Sequence, residues 1–322
     1  VWQPDESHRE LLSSNTASES CTKKEEVMHS YLGKKTSILA FILPFLILYT
    51  FILVYPIAQT AVRSLSDWDG ITEPVFNGLQ NYRDLIKDPD FKVSMKNGLI
   101  FAAVLFIYQQ GMGTILALLF STKGFHIRGS RFFRTSFFIP VMLSSTVVGQ
   151  LWVQILSYNH DLINSVLGSI NESLRIPFLS DPKLAIYAVA FASAWQGMGI
   201  TFVFLLTAIR SIPEQYYEAA MIDGASSLQA HRKITLPLLK ETYKVTFVMS
   251  LTGGLRAFDA MFVMTGGGPG GATMTLSYMM YNAAFKRGQF GYGCASAVVL
   301  LIECLALTIL INKAMGKERI IY

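Results

Sequence analysis

Charged residues are scarce in this chain of 322 residues, where they make up 15% of the composition against 52% for hydrophobic residues. A water-soluble domain of this length needs more polar residues to cover its surface, so the composition excludes a soluble globular protein. Cysteine is rarer still, with only Cys21, Cys294 and Cys304. The last two are about 15 Å apart along one expected helix, which is too far for a disulfide. No disulfide framework is expected.

Residues that support catalysis or metal binding are equally sparse. The five histidines show no spacing typical of metal ligands: His8, His29, His126, His160 and His231. No serine or cysteine nucleophile has a base near it in the sequence. The sequence therefore predicts no metal centre and no enzyme activity in this chain.

The sequence contains six long apolar runs. A helix needs roughly 20 mostly uncharged residues to cross a bilayer core about 30 Å thick. The runs meet this length, with uncertain ends, at 37–62, 98–120, 132–157, 184–209, 243–265 and 294–314. The predicted fold class is all-α, a polytopic membrane protein with six transmembrane helices.

Basic residues orient these spans. Of the 27 Lys and Arg residues, seventeen lie on the side of the N-terminus, nine lie on the opposite side and Arg256 lies within a span. The connection between the second and third spans has four bases and no acid: Lys123, Arg128, Arg131 and Arg134. Short basic loops stay cytoplasmic, so both termini are expected in the cytoplasm. Because the bases flank spans, the net charge of +5 does not indicate nucleic-acid binding.

The predicted organisation has three parts. Residues 1–36 form a polar, aperiodic cytoplasmic segment that is expected to be disordered. Residues 37–314 form the six-span domain, and 315–322 form a short cytoplasmic tail. The chain begins with Val1, and we interpret Met28 as the natural start, with 1–27 a tag or a misassigned leader.

Polar side chains within the spans are candidates for a solute pathway. Such groups are costly in hydrocarbon and usually face a bundle interior or a wet path. The candidates are Gln150, Gln154, Trp195, Gln196, Arg256 and Asp259. Equally, glutamine can simply hydrogen-bond across helices. Arg256 and Asp259, three residues apart, are expected to pair on one helical face.

The connection between the fourth and fifth spans is patterned as helix, turn, helix. Ser211 and Glu214 match a capping box that would open a helix through Met221. Gly224 permits a sharp bend, and a second helix from Ser226 to Lys233 would end at the Leu-Pro pair 236–237. The element could dock into another protein's groove or rest on lipid headgroups.

This connection carries a resemblance to a known family. Glu218, Ala219, Ala220, Gly224, Ile234, Leu236 and Pro237 match, without a gap, the pattern EAA-x3-G-x9-I-x-LP. The pattern resembles that of membrane subunits of binding-protein-dependent ABC importers. Gly78 to Phe91, Phe258 to Thr273 and the run Asp223, Gly224, Ala225 are similar to the carbohydrate branch, in its first permease of the glycerol-phosphate and multiple-sugar type. His231 departs from the aromatic residue usual in that family.

The resemblance implies a function and a set of partners. The coupling helix of such permeases sits in a cleft of the ATPase, and the matching residues here are Glu218, Ala219, Ala220, Asp223, Gly224, Ala225, Ile234, Leu236 and Pro237. Implied partners are a second homologous permease, two cytoplasmic ATPase subunits, an extracytoplasmic solute-binding protein, a carbohydrate and membrane lipid. ATP and Mg²⁺ would bind to the ATPases and no cofactor to this chain. The implied location is the prokaryotic cytoplasmic membrane.

Three other readings are weaker. The glycine-rich run Gly266 to Thr273 approaches a phosphate-binding spacing, but Ala272 stands where the lysine must be, so a flexible re-entrant or loop element at the outer mouth is expected. An ion-coupled secondary transporter would need several deep acids and inverted repeats, whereas only Asp259 and Glu303 qualify. A non-sugar solute such as glycerol phosphate remains open within the importer class.

Overall fold

A computed structural model describes residues 35–121, 130–158 and 162–316. The predicted disordered segment lies outside these residues except for its last two positions, and so does the tail from residue 317. The chain divides into two units between Gln59 and Thr60. The first unit contains α1 (Lys35–Tyr49), a π-helical turn (Thr50–Val54) and the start of α2 (Tyr55–Arg63).

The π-helical turn has a local cause. Pro56 lies two residues after its end, and proline has no backbone N–H and clashes with the carbonyl four residues earlier. A wider turn relieves that clash while the chain stays helical. The first predicted span, 37–62, is therefore helical throughout, and Leu39–Arg63 is long and apolar enough to cross a membrane.

The second unit opens with an element that the sequence reading missed. Strands β1 (Ser66–Asp67) and β2 (Val75–Phe76) pair antiparallel, with Ser66 opposite Phe76. Asp69 holds the connection, because its carboxylate accepts from the backbone N–H groups of Ile71 at 2.9 Å and Thr72 at 2.7 Å. These bonds lower the pKa of the Asp69 carboxyl.

Two helices follow the hairpin, α3 (Gln80–Lys87) and α4 (Pro89–Ser121). Asp88 starts α4 by accepting from the Asp90 N–H at 2.9 Å, and Pro89 occupies the first helical position, where a missing N–H is harmless. At 33 residues, α4 contains the second predicted span and extends beyond it.

The third predicted span, 132–157, is wrong as a single helix. It consists of α5 (Ser130–Met142) and α6 (Ser145–Leu156), which meet at an angle of 102°. Pro140 weakens the last turn of α5. Ser144 then caps α6 by accepting from the Val147 N–H at 3.3 Å. A helix α7 (Leu162–Ile170) and a 3₁₀ turn (Glu172–Leu174) follow.

The fourth span is confirmed as α8 (Ala185–Ser211), but the fifth, 243–265, is interrupted. Helix α12 (Lys240–Leu255) stops, and α13 (Asp259–Met264) begins after a break at 256–258. Between α8 and α12 lie α9 (Gln215–Ile222), α10 (Ser227–Ala230), a π turn (His231–Thr235) and α11 (Leu236–Leu238). The end of the chain holds α14 (Leu276–Tyr281), a π turn (Asn282–Lys286) and α15 (Phe290–Ala314), which contains the sixth span.

Both breaks are stabilised by side chains distant in sequence. At the first, Gln196 Nε2 donates to the Leu143 carbonyl at 2.9 Å. At the second, the Thr275 hydroxyl donates to the Ala257 carbonyl at 2.9 Å. A helix that stops leaves carbonyls without partners, and buried ones are costly unless another group bonds them.

Helices α4, α8 and α12 form the centre of the second unit. Gly113 of α4 contacts Thr201 closely, and Gly254 of α12 contacts the backbone of Ala102, so small residues bring the helices together. Buried apolar side chains fill the space between the elements, among them Phe101, Leu105, Val189, Ala190, Met261 and Met279.

In the part of the chain that the structure describes, four helices are long and apolar enough to span a membrane, or five if α5 and α6 count as one. These four are Leu39–Arg63, Pro89–Ser121, Ala185–Ser211 and Phe290–Ala314. The largely helical membrane fold is confirmed, and the count of six spans stays a prediction.

Candidate functional site

The segment between α8 and α12 has the predicted helix-turn-helix. We call Gln215–Leu238 the coupling segment. At the turn, Gly224 has φ +77°, which L side chains rarely adopt. The Ala225 N–H bonds to the Ala220 carbonyl at 2.9 Å and the Gly224 N–H to the Met221 carbonyl at 3.1 Å. This is a Schellman motif, which closes α9 and reverses the chain.

The predicted capping box is wrong in its position. The Ser211 hydroxyl donates to the Ala208 carbonyl at 2.8 Å, so Ser211 ends α8. The capping box in the structure opens α10: the Ser226 N–H donates to Gln229 Oε1 at 2.8 Å, and the Gln229 N–H donates to Ser226 Oγ at 3.4 Å. Glutamine at the third helical position serves as well as glutamate.

The second helix does not end at the Leu-Pro pair, which corrects another prediction. It continues through α11, and Pro237 lies in the first turn of α11 after the π turn His231–Thr235. The same arrangement precedes Pro56, where a wider turn also accommodates a proline within a continuing helix. Proline can therefore stay inside a helix when the turn before it widens.

A hydrogen-bonded cluster joins the two halves of the coupling segment. The Thr235 hydroxyl is fully buried and lies 2.9 Å from the Tyr217 hydroxyl of α9. His231 Nδ1 lies 3.1 Å from the Thr235 hydroxyl. Burial lowers the pKa of the His231 imidazole. His231, which departs from the family pattern, thus contributes to packing through a neutral ring.

The outer side of the coupling segment is open. Glu218, Ala219, Asp223, Gly224 and Pro237 are exposed, while Ala220, Ala225, Ile234 and Leu236 are half-buried. Apart from Gly224 and its two chain neighbours, no residue in the described part of the chain has an atom within 4 Å of the position that a Cβ on Gly224 would occupy. Three large apolar side chains, Met221, Ile222 and Leu228, are also exposed. Exposed apolar side chains beside small residues are typical of a protein-docking surface.

A second candidate feature is a cleft among α4, α6, α8, α12 and α13, which we call the central cleft. Its volume is about 380 Å³. Three predicted pathway residues line it: Gln196, Arg256 and Asp259. The other three do not, because Gln150 and Gln154 are exposed on α6 and Trp195 packs edge-on against Trp152, with ring centroids 5.7 Å apart.

The predicted pairing of Arg256 with Asp259 on one helical face is wrong. Arg256 caps the end of α12 and Asp259 begins α13, so the break separates them. Among the described residues no ion pair joins them, and Arg256 Nε donates to the Thr252 carbonyl at 3.3 Å. Both side chains are exposed at the cleft.

Polar residues that are not among the predicted pathway residues also line the central cleft or join its helices. Gln109, Thr246 and Ser250 line the central cleft. Gln110 clamps α4 to α12: its Nε2 donates to Ser250 Oγ at 2.8 Å, and its Oε1 accepts from Thr246 Oγ1 at 3.0 Å. The adjacent pair of glutamines was visible in the sequence, but only packing shows which one points into the cleft.

The glycine-rich run after α13 is packed in place. The buried Thr273 hydroxyl donates to the Gly268 carbonyl at 2.8 Å, and Tyr278 donates to the Gly266 carbonyl at 2.6 Å. Asn97 of α4 donates to the Gly271 carbonyl at 3.1 Å. The expectation of a flexible loop is therefore wrong, since these bonds tie it to the helices. A helix, α13, precedes the run, where a phosphate-binding motif would follow a strand.

Comparison with known proteins identifies the family. Residues 109–316 match the family described as binding-protein-dependent transport system inner membrane component. The chain belongs to this family. The permease is 37% identical over 282 residues to the probable ABC transporter permease protein YurN of Bacillus subtilis, covering 86% of this chain and 96% of that protein. It is 34% identical over 278 residues to the multiple sugar-binding transport system permease protein MsmF of Streptococcus mutans. This match covers 86% of this chain and 92% of that protein.

A solved structure shows the same fold as this permease. It is the crystal structure of a bacterial alginate ABC transporter in complex with an alginate pentasaccharide-bound periplasmic protein. One of its chains matches with a TM-score of 0.74 and 22% identity, covering 88% of this permease and 96% of that chain. The predicted membership of the ABC importer permeases is confirmed.

Proposed function

We propose that this permease forms the translocation path of an ATP-driven importer that carries a sugar or an oligosaccharide into a prokaryotic cell. The single observation that carries the proposal is the exposed coupling segment, whose Gly224 turn and flanking residues match the family pattern. The matched permease of Streptococcus mutans is named for multiple sugars, and the matched structure imports alginate. Both support a carbohydrate as the solute.

In this proposal the permease works with several partner proteins. Two cytoplasmic ATPase subunits would bind ATP and Mg²⁺, and one would receive the coupling segment. A second, homologous permease would complete the path, and an extracytoplasmic solute-binding protein would deliver the sugar, as a periplasmic protein accompanies the matched alginate transporter. In this proposal six spans cross the cytoplasmic membrane with both termini inside, and nucleic acid has no role.

Transport would proceed by alternating access. ATP-driven closure of the ATPases moves the coupling segment, which opens the central cleft to one side of the membrane and then the other. A ligand shifts such an equilibrium only through unequal affinity for its two states. In the cleft, Gln196, Arg256 and Asp259 offer amide and charged partners to sugar hydroxyls. The breaks beside α6 and α12 would serve as hinges in this mechanism.

A non-sugar solute is the second candidate. Arg256 presents an exposed guanidinium in the central cleft, and guanidinium groups bind phosphate well. An importer of glycerol phosphate would use this residue directly. Competition between a labelled sugar and glycerol 3-phosphate for uptake by the complete importer distinguishes the two solutes. An ion-coupled transporter is tested by dissipating the proton gradient, which would stop its uptake and leave an ATP-driven importer active.

The docking role is tested by variants of the coupling segment. Gly224→Asp and Glu218→Lys are expected to abolish uptake while the permease stays in the membrane, because the first adds a charge to the docking surface and the second reverses one. The ATPase subunits should no longer copurify with the variants. Gly78→Asp is the matched control, since Gly78 also has positive φ, at +65°, and open space around it. Normal uptake by both variants would contradict the docking role.

A further inference from the structure

Five aromatic side chains of the second unit form a continuous series of ring contacts, which we call the aromatic ladder: Phe258, Tyr281, Phe285, Phe290 and Trp68. At one end, Phe258 and Tyr281 also contact Phe262 and Tyr278. Successive ring centroids are 5.0, 5.5, 5.5 and 5.6 Å apart. The row passes from the break before α13, through α14 and the π turn that follows it, to α15 and the hairpin loop. Spacings of 4.5–7 Å are those of rings in direct contact.

The two ends of the aromatic ladder lie in two different clefts. Phe258 lines the central cleft. Trp68 lines a second cleft of about 550 Å³, whose other lining groups are mainly polar and include Asp67, Asn77, Gln80, Asp84, Arg287 and Gln289. The ladder therefore extends from the central cleft to the second cleft, and each cleft contains hydrogen-bonding side chains.

The ladder is held in position by its surroundings. Gly70, at φ +87°, lies against the Phe290 ring, and a Cβ there would come within 2.6 Å of the ring. The Arg63 guanidinium lies 5.0 Å from the centre of the Trp68 ring. The Lys286 ammonium lies 5.9 Å from the centre of the Tyr281 ring. Cations over ring faces restrict the orientation of both end regions.

The middle of the ladder is open. Phe285 is 69% exposed, and its neighbours Tyr281 and Phe290 are partly exposed. A row that merely filled a core would be buried, and one that merely met lipid would not need hydrogen-bonding groups at both ends. The central cleft offers such groups among apolar side chains, and the lining of the second cleft is mainly polar. The combination of ring faces between hydrogen-bonding clefts matches a ligand that has apolar faces and a polar rim.

We propose that the aromatic ladder is a track that binds pyranose rings between the second cleft and the central cleft. The inference rests on the proposed function, because it takes the solute to be a carbohydrate. A pyranose presents C–H groups on its faces, which stack on aromatic rings, and hydroxyls on its edge, which the clefts at either end can bond. An oligosaccharide of several units covers more of the ladder than a disaccharide does, so the track favours longer chains.

The test uses the complete importer in proteoliposomes, with malto-, cello- and xylo-oligosaccharides of two to five units as probes. Phe285→Leu keeps an apolar side chain and removes the ring, and Phe285→Trp keeps a ring. Phe41→Leu is the matched control, since Phe41 is also 69% exposed and lies in α1, outside the ladder. Initial uptake rates are measured at sugar concentrations below saturation.

The track predicts that Phe285→Leu lowers uptake of the five-unit sugar about twofold to tenfold, the range of one aromatic contact, and lowers that of the two-unit sugar less. Phe285→Trp should restore the rate, and Phe41→Leu should match the wild type. Equal rates for Phe285→Leu and Phe41→Leu would overturn the track while leaving the importer intact. Loss of the second permease on copurification with Phe285→Leu would also overturn it, in favour of a protein interface. A wild type that moves glycerol 3-phosphate and no sugar of the panel would overturn the proposed function as well.

Discussion

Polar residues inside apolar helices have two different roles in this permease, and residue type alone does not separate them. Gln110 and Gln196 bond other parts of the chain, as expected if glutamine simply links helices. Arg256 and Asp259 instead lie exposed at the central cleft. Gln196 belongs to both groups, because it lines the cleft and also bonds the Leu143 carbonyl. The pathway residues therefore stay predictions, with Arg256 and Asp259 the best placed.

His231 gives the coupling segment a dependence on pH. Burial lowers the pKa of its imidazole below the ordinary value of 6.5. Because the folded-state pKa lies below the unfolded one, the stabilisation is fully present above pH 6.5 and is lost as the pH falls through the lowered value. Protonation makes both ring nitrogens donors, so Nδ1 can then only donate to the Thr235 hydroxyl, which also bonds the Tyr217 hydroxyl.

We predict that the backbone amides of α9 and the π turn after α10 exchange hydrogen faster at pH 5.0 than at pH 8.0, after correction for the intrinsic exchange rate. Hydrogen exchange followed by mass spectrometry of the membrane protein in nanodiscs measures this. His231→Gln is the control, since glutamine can bond Thr235 and does not titrate. The same pH effect in His231→Gln would contradict the assignment to the imidazole.

At the scale of elements, the local patterns predicted some features and missed others for a physical reason. The helix-turn-helix of the coupling segment follows from neighbouring residues, above all Gly224, whose φ few other residues adopt. The breaks after Met142 and Leu255 lie inside apolar runs and depend on Gln196 and Thr275, which are distant in sequence. Apolar composition predicts a span but not its bends. Pro140 and Ser144 are local signals for the first break, whereas the angle between its helices and the second break depend on distant residues.

Helix ends were misplaced for a related reason. The predicted box at Ser211 has the right residue types, but α8 continues through Ser211, whose hydroxyl bonds within its own helix. The predicted end at Pro237 assumed a regular α-helix, and a π turn before the proline removes that constraint. In both cases the residue types alone do not fix the helix end, because the same residues are compatible with a continuing helix.

The break before α13 is open to a direct test at Thr275. Thr275→Val keeps the shape of the side chain and removes the hydroxyl, so the Ala257 carbonyl loses its donor in a buried setting. We expect a loss of about 0.5–2 kcal/mol in the free energy of unfolding, seen as a lower melting temperature in detergent. Thr275→Ser keeps the hydroxyl and should melt close to the wild type. A Val variant as stable as the Ser variant would show that the bond contributes nothing.

At the scale of the whole molecule, the bent pair α5 and α6 decides how the rest of the chain is oriented. If the pair crosses the membrane, three crossings separate the hairpin loop from the coupling segment, which then lie on opposite sides. If the pair enters and leaves on one side, only α4 and α8 cross between them, and both lie on the same side. The charge bias favours the first arrangement, because it places the basic connection of residues 122–131 inside together with the coupling segment.

Single cysteines at exposed positions distinguish these arrangements. Ile71 is 92% exposed in the hairpin loop, and Ile222 is 87% exposed in the coupling segment. In a chain whose own three cysteines are replaced by serine, Ile71→Cys should react with a membrane-impermeant maleimide on intact cells. Ile222→Cys should react only after the membrane is opened. Phe285→Cys should behave like Ile71→Cys, since the interrupted fifth span lies between Ile222 and Phe285. Labelling of Ile71→Cys and Ile222→Cys from the same side would make α5 and α6 a re-entrant pair, and a coupling segment on the outer side could not reach a cytoplasmic ATPase.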